Sequence, residues 1–212
     1  MDGVVWSVPT GRLTLSVGAG CNIGGVSDTE GTHDPDIPIA FSPVWPVART
    51  AVIPRAADEF TMLKAYLEHY RETFELKCAG VDPARLSERS SPPSTMSLHG
   101  LARHLAGGER WWFATNFAGL DLPMLYYSDD DPDLDFEGLA GDPLEDLATW
   151  RTECERSRRI VDEAAGLDVV GAVERNGSYT LSWLMLRMIA EYAQHCGHAD
   201  FLREGIDGAT GA

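Results

Sequence analysis

Four stretches of this chain repeat apolar residues at spacings of three and four, the period of a helix that buries one face. In the first, Phe60, Leu63, Leu67, Tyr70 and Phe74 share a stripe that begins after Ala56, runs to about Cys78 and stops at Gly80. The second begins near Ser97 and aligns Leu98, Leu101, Leu105 and Trp112. The third opens on Asp142-Pro143, an N-cap followed by proline at the first helical position, and carries Trp150, Cys154 and Val161 toward Gly166. The fourth runs from about Ser182 to Glu204 and is expected to end before Gly205. Amphipathic helices of this kind bury their stripes against one another, so the spacing predicts an all-α protein, a four-helix bundle with a long crossover between helices two and three.

The connections carry their own signals. Pro92 and Pro93, within the Ser87 to Ser94 link, forbid helix and extend the chain. The crossover from Gly119 to Asp142 holds Asp129, Asp130, Asp131, Asp133 and Asp135, which reads as a solvated loop. A calcium loop would need a Gly and a terminal Glu at EF-hand spacing, and both are missing. A polar link containing Asn176-Gly177 precedes the last helix. Residues 1–53 show no helical period and are rich in Gly, Pro, Thr and Val, with a brief strand-like alternation at Leu13, Leu15 and Val17. They are expected to form an irregular, partly disordered extension, leaving 54–212 as the bundle.

Charge and cysteine usage narrow the function. With 17 Lys and Arg against 33 Asp and Glu, the net charge of −16 repels phosphate backbones and anionic lipid, so neither nucleic acid nor membrane is an expected partner. Cys21, Cys78, Cys154 and Cys196 contain no CxxC pair, which argues against a zinc knuckle or a disulfide framework and fits a reducing, cytoplasmic setting. The start of the chain lacks the basic and apolar runs of a secretion signal. The apolar stretch Leu181 to Ala190 is interrupted by Arg187 and falls well short of the ~20 residues that span a bilayer.

The chemistry lies on the fourth helix, whose inward stripe reads Leu181, Leu184, Met188, Glu191, His195, His198, Leu202. It turns polar in the middle without changing face. A carboxylate and two imidazoles in a bundle interior need partners, because an isolated buried charge costs several kcal/mol or shifts its pKa. Glu191 and His195 sit one turn apart, about 6 Å along the axis, and can converge on one ion. Helix two offers His104, on a stripe with Leu101, Gly108 and Trp111, as a third ligand. Three protein ligands leave a position for water or substrate, the pattern of a catalytic site for a divalent metal, zinc with nickel or manganese as alternatives.

Blander readings stand beside this one. A single histidine on an apolar face is more often a hydrogen-bonded core residue than a ligand, and Glu-x-x-x-His is also a common helical pair. His99 points away from the face of His104 and reads as surface; His69 and His33 give no functional signal. Cys196 is rotated about 100° around the helix from His195 and reads as packing.

The runs Ser97-Leu-His-Gly-Leu-Ala-Arg-His104-Leu, Glu109-Arg-Trp-Trp-Phe113 and Glu191-Tyr-Ala-Gln-His195-Cys-Gly-His198-Ala-Asp-Phe-Leu-Arg203 resemble the DinB-like superfamily, over about Glu59 to Gly208. The resemblance is nearest to an uncharacterised branch related to the mycothiol-dependent maleylpyruvate isomerases. It implies a four-helix bundle with a metal held by a helix-two His and a helix-four x-x-x-His pair, which here are His104, Glu191 and His195. It also implies transfer or isomerisation chemistry with a low-molecular-weight thiol such as mycothiol or bacillithiol, the thiol and an electrophile being the small-molecule partners. His198, where many relatives have Gln, lies about 10.5 Å in axial rise beyond Glu191, too far for one ion to be shared comfortably, and is expected to line the thiol pocket. Arg103 or Arg203 could steer a carboxylate of the thiol or substrate. Two functions follow, a metal-dependent thiol S-transferase or a non-catalytic, stress-associated metal-binding bundle whose site is structural, or filled by His198 as a fourth protein ligand; a homodimer fits either.

Overall fold

Asp58 starts the first helix: its carboxylate accepts from the Thr61 amide at 3.0 Å, satisfying one of the donors a helix N-terminus leaves open. The computed structural model describes residues 49–173 and 177–211, whose regular elements are helical, with an isolated antiparallel bridge between Val170 and Thr180. Helix α1 spans Glu59–Cys78, α2 Leu98–Glu109, α3 Leu134–Glu137, α4 Pro143–Glu163 and α5 Leu181–Asp207. A short 3-10 turn, Pro83–Arg85, follows α1. Side chains of Ser97, Asp142 and Thr180 cap α2, α4 and α5 in the same manner as Asp58. Each such cap stabilises its helix by about 0.5–2 kcal/mol.

The inward stripes meet as their periods require. Helix α1 packs on α5 and α2 packs on α4, with α2 also touching α5. Leu67 and Phe74 from α1, Leu101 and Leu105 from α2, Trp150 from α4 and Met188 from α5 are among the buried side chains of one core. Among the described residues no helix is long and apolar enough to cross a membrane.

Several expectations change in detail. Helix α2 passes into a π-helical segment, Arg110–Phe117, whose wider turn carries later side chains less far round the axis. The buried stripe therefore continues through Phe113 rather than Trp112, which is only half-buried. Gly205 does not stop α5; the helix runs on to Asp207 and ends at Gly208, whose φ of 77° is left-handed. Gly205 answers a different need, since a Cβ there would lie 2.8 Å from the Ser90 carbonyl oxygen. His99 is not on the surface. Helix α2 is enclosed on nearly every side, and His99, 1% exposed, is bonded to Ser87 Oγ at 2.8 Å and Asp146 Oδ2 at 2.6 Å. The acidic crossover is not wholly solvated either, because it winds into α3 and buries most of the Asp135 side chain.

The expected strand at Leu13 to Val17, with His33 and Cys21, lies outside the described residues, as does Asn176 of the polar link. The described end of the N-terminal segment lies along α1: Arg49 donates to Thr73 Oγ1 at 2.7 Å, and Glu72 accepts from the amides of Thr50 and Ala51.

Candidate metal centre

Helix α2 brings His104, and α5 brings Glu191 and His195, to one point. Their ligand atoms lie within 4.8 Å of one another, a spacing that could hold a metal ion. Glu191 Oε1 accepts from His104 Nε2 at 3.1 Å and from His195 Nε2 at 3.2 Å, and the two imidazole centroids are 4.7 Å apart. All three side chains are partly enclosed.

Each of the three has an outer partner. Asp135 Oδ2 accepts from His104 Nδ1 at 2.7 Å. The Arg187 guanidinium donates to the other Glu191 oxygen. The His198 ring meets His195 on its Nδ1 side at 3.3 Å. His198 thus stands against His195 rather than at the point where the three converge. Arg203 lies elsewhere: it is fully buried, donates to the carbonyls of Lys77 and Ala79 at 2.9 and 2.7 Å, and pairs with Asp207. Arg103 is likewise occupied with the carbonyls of Leu134 and Gly138, and its guanidinium lies 4.4 Å from the Tyr126 ring centroid.

His104 and Glu191 open on a cavity of about 700 Å³, a size suited to a small-molecule site. Trp111, Trp112, Tyr126, Tyr127 and Met124 furnish much of its apolar wall. The π-helical segment supplies the two tryptophans, and the crossover supplies the tyrosines and Met124. Sequence reasoning passed over Asp135 and Arg187. For Arg187 a signal existed, since it precedes Glu191 by one turn on the same face. For Asp135 none did, because nothing local separates it from the neighbouring aspartates.

The electrostatics follow from these contacts. Hydrogen bonds from His104 and His195, opposed by burial and aided by Arg187, hold the Glu191 carboxyl well below the usual carboxylate range. Burial lowers the His198 pKa, and the nearby His195 ring adds to that. Burial also pulls His104 down, but the carboxylates of Asp135 and Glu191 outweigh it and push the imidazole from 6.5 up to about 9. A pKa raised by folding stabilises the fold fully below the unfolded value of about 6.5 and loses that contribution as pH rises through about 9. In chelator-treated protein, the difference in melting temperature between wild type and His104→Gln should therefore shrink between pH 6 and pH 10. If the three side chains hold zinc, its affinity should rise over the same window, with about one proton released per ion bound at pH 7, read by calorimetry in buffers of different ionisation enthalpy. A pH-independent affinity would show that His104 is not the group displaced.

No curated protein and no solved structure gives a significant match to the chain. A family model described as mycothiol-S-transferase does match, over residues 62–208. That span takes in all of α2 to α5, both runs that carry His104, Glu191 and His195, and all but the first turn of α1. The chain belongs to the mycothiol-S-transferase family, a DinB-like family.

Proposed function

We propose that this protein is a divalent-metal-dependent S-transferase that joins mycothiol, or a thiol of that type, to a small electrophile. In this reading α1, α2, α4 and α5 form the four-helix bundle of the DinB-like proteins, the segment from Gly119 to Asp142 is its crossover, and His104, Glu191 and His195 hold the ion. The observation that carries it is the convergence of two imidazoles and a carboxylate beside a cavity large enough for a small molecule.

The residues present suit such an ion. Two imidazole nitrogens and one carboxylate oxygen form a donor set that zinc and nickel accept readily, with manganese less well matched to the imidazoles. Outer hydrogen bonds to a ligating His and carboxylate, as Asp135 and Arg187 make, are what metal sites use to orient their ligands. When bound, the ion lowers the pKa of a thiol at its open position and supplies a thiolate at neutral pH. Glu191, its outer oxygen tied to Arg187, keeps one carboxylate orientation throughout. The aromatic wall from Trp111 to Tyr127 offers apolar surface to the electrophile and limits water around the reacting sulfur. A closed, non-catalytic site would need His198 as a fourth ligand, and its ring is instead engaged with the outer nitrogen of His195.

The test is to purify the protein, measure its metal content and follow conjugation of mycothiol to an electrophile such as a haloalkyl dye. Conjugation should fall to background with chelator and return on adding zinc. Activity that ignores the chelator, or a metal-loaded protein that conjugates no thiol to any electrophile tried, would sink the proposal.

A further inference from the structure

We propose that Asp135 is a positioning residue for the metal centre, acting through His104: it holds the Nδ1–H of that ring and thereby presents Nε2 to the ion. The inference rests on the metal reading above and adds to it a residue outside the three ligands. A neutral imidazole can carry its proton on either nitrogen, and only the Nδ1–H tautomer leaves Nε2 free to ligate. A carboxylate that accepts from Nδ1 selects that tautomer, fixes the ring's rotation and raises its basicity. Asp135 Oδ2 stands 2.7 Å from His104 Nδ1, while Nε2 of the same ring faces Glu191.

Three further contacts show that the carboxylate is placed for this purpose. Arg103, buried on α2 one residue before His104, binds the carbonyls of Leu134 and Gly138 and so ties both ends of α3 to the helix that carries the ligand. Phe136 stacks on the His104 ring with centroids 5.4 Å apart and planes 29° apart, covering one face of it. Gly100 makes room for that ring, since a Cβ there would lie 2.8 Å from Phe136 Cδ1. Meanwhile Asp135 Oδ1 is buried without a hydrogen-bond partner among the described residues, so the carboxylate is partly desolvated and His104 is the group it serves. A crossover that merely joined two helices would gain nothing from burying this aspartate.

The experiment is a double-mutant cycle on zinc affinity, by chelator competition at pH 7.5, using wild type, Asp135→Asn, His104→Ala and the double variant. Loss of an outer partner typically costs 10- to 100-fold in metal affinity. Asp135→Asn should therefore bind zinc 10- to 100-fold more weakly, whereas adding it to His104→Ala should change affinity by less than about twofold. Ring nitrogen-15 shifts supply a readout that a purely structural role leaves unmoved: the zinc-loaded wild type should show His104 protonated at Nδ1, and the variant should lose that signature. Wild-type affinity in Asp135→Asn, or the same further loss in the His104→Ala background, overturns the inference while leaving the metal site standing. If Asp135→Asn is unfolded by circular dichroism, Phe136→Leu and Gly100→Ala take its place, and unaltered affinity and His104 shifts in both overturn it. Wild-type zinc binding by His104→Ala and His195→Ala would overturn both readings together.

Discussion

Zinc affinity is expected to fall by more than about a hundredfold in His195→Ala, and comparably in His104→Ala and Glu191→Ala, because in the proposed site each removes one of three donors rather than an outer partner worth 10- to 100-fold. The three atoms lie within 4.8 Å, so each pair that remains lacks the chelate geometry of the set. His198→Ala should behave differently: its ring contacts His195 Nδ1 and is outside the convergent group, so the variant should retain zinc within the range of an outer-partner loss. Metal content after dialysis and competition with a chromogenic chelator separate these cases. If His198→Ala strips the metal as thoroughly as His195→Ala while Glu191→Ala keeps it, the ligands are His104, His195 and His198, and Glu191 is the outer partner. Arg203→Ala should leave zinc affinity unchanged and reduce stability instead, since its guanidinium holds the carbonyls of Lys77 and Ala79.

The largest effect on stability is expected at Arg71 and Glu109. Glu109 is fully buried and accepts from Arg71 Nε and Nη2, both at 2.8 Å, and from the Tyr192 hydroxyl at 2.7 Å. Trp150 Nε1 in turn donates to that hydroxyl at 2.9 Å. Burial holds the Tyr192 phenol and the Cys154 thiol well above their ordinary pKa values, so both remain neutral beside the ion pair. Arg71 comes from α1, Glu109 from α2, Trp150 and Cys154 from α4, and Tyr192 from α5, so this network joins all four long helices. Breaking a buried pair from one side leaves an uncompensated charge and costs about 3–5 kcal/mol. For a chain of this size that corresponds to a fall of about 6–20 °C in melting temperature for Arg71→Met or Glu109→Gln. The double variant Arg71→Met with Glu109→Leu removes both charges and should recover most of the loss. A single variant that melts within about 2 °C of wild type, a shift worth no more than about 1 kcal/mol, would show that the pair is not a stabilising unit.

Helix periods were legible because they are local. Phe60 to Phe74, Leu98 to Leu105 and Leu181 to Leu202 each state their buried face within one segment, and Asp142-Pro143 and Ser97 mark starts that the structure keeps. The inward placement of Glu191 and His195 came from the same period, and their pairing with His104 needed only that two such faces meet. Gly205 misled because a glycine near a helix end has two explanations, and only the position of Ser90 tells a close approach from a stop.

What the sequence determined by itself is therefore the all-α character, the starts of the long helices and most of their buried stripes, and the polar break in the last of them, since periodicity and capping depend on neighbours along the chain. Only the tertiary structure decided which distant groups satisfy one another. Asp135 lies 31 residues from His104, Glu109 lies 38 from Arg71, and Asp146 lies 47 from His99. Buried polar groups must find partners, but the spacing of residues along a helix says nothing about which loop or helix will deliver them. That choice belongs to packing: α2 is enclosed on nearly every side, so His99 is met from α4, Arg103 and His104 from the crossover around α3, and Glu109 from α1.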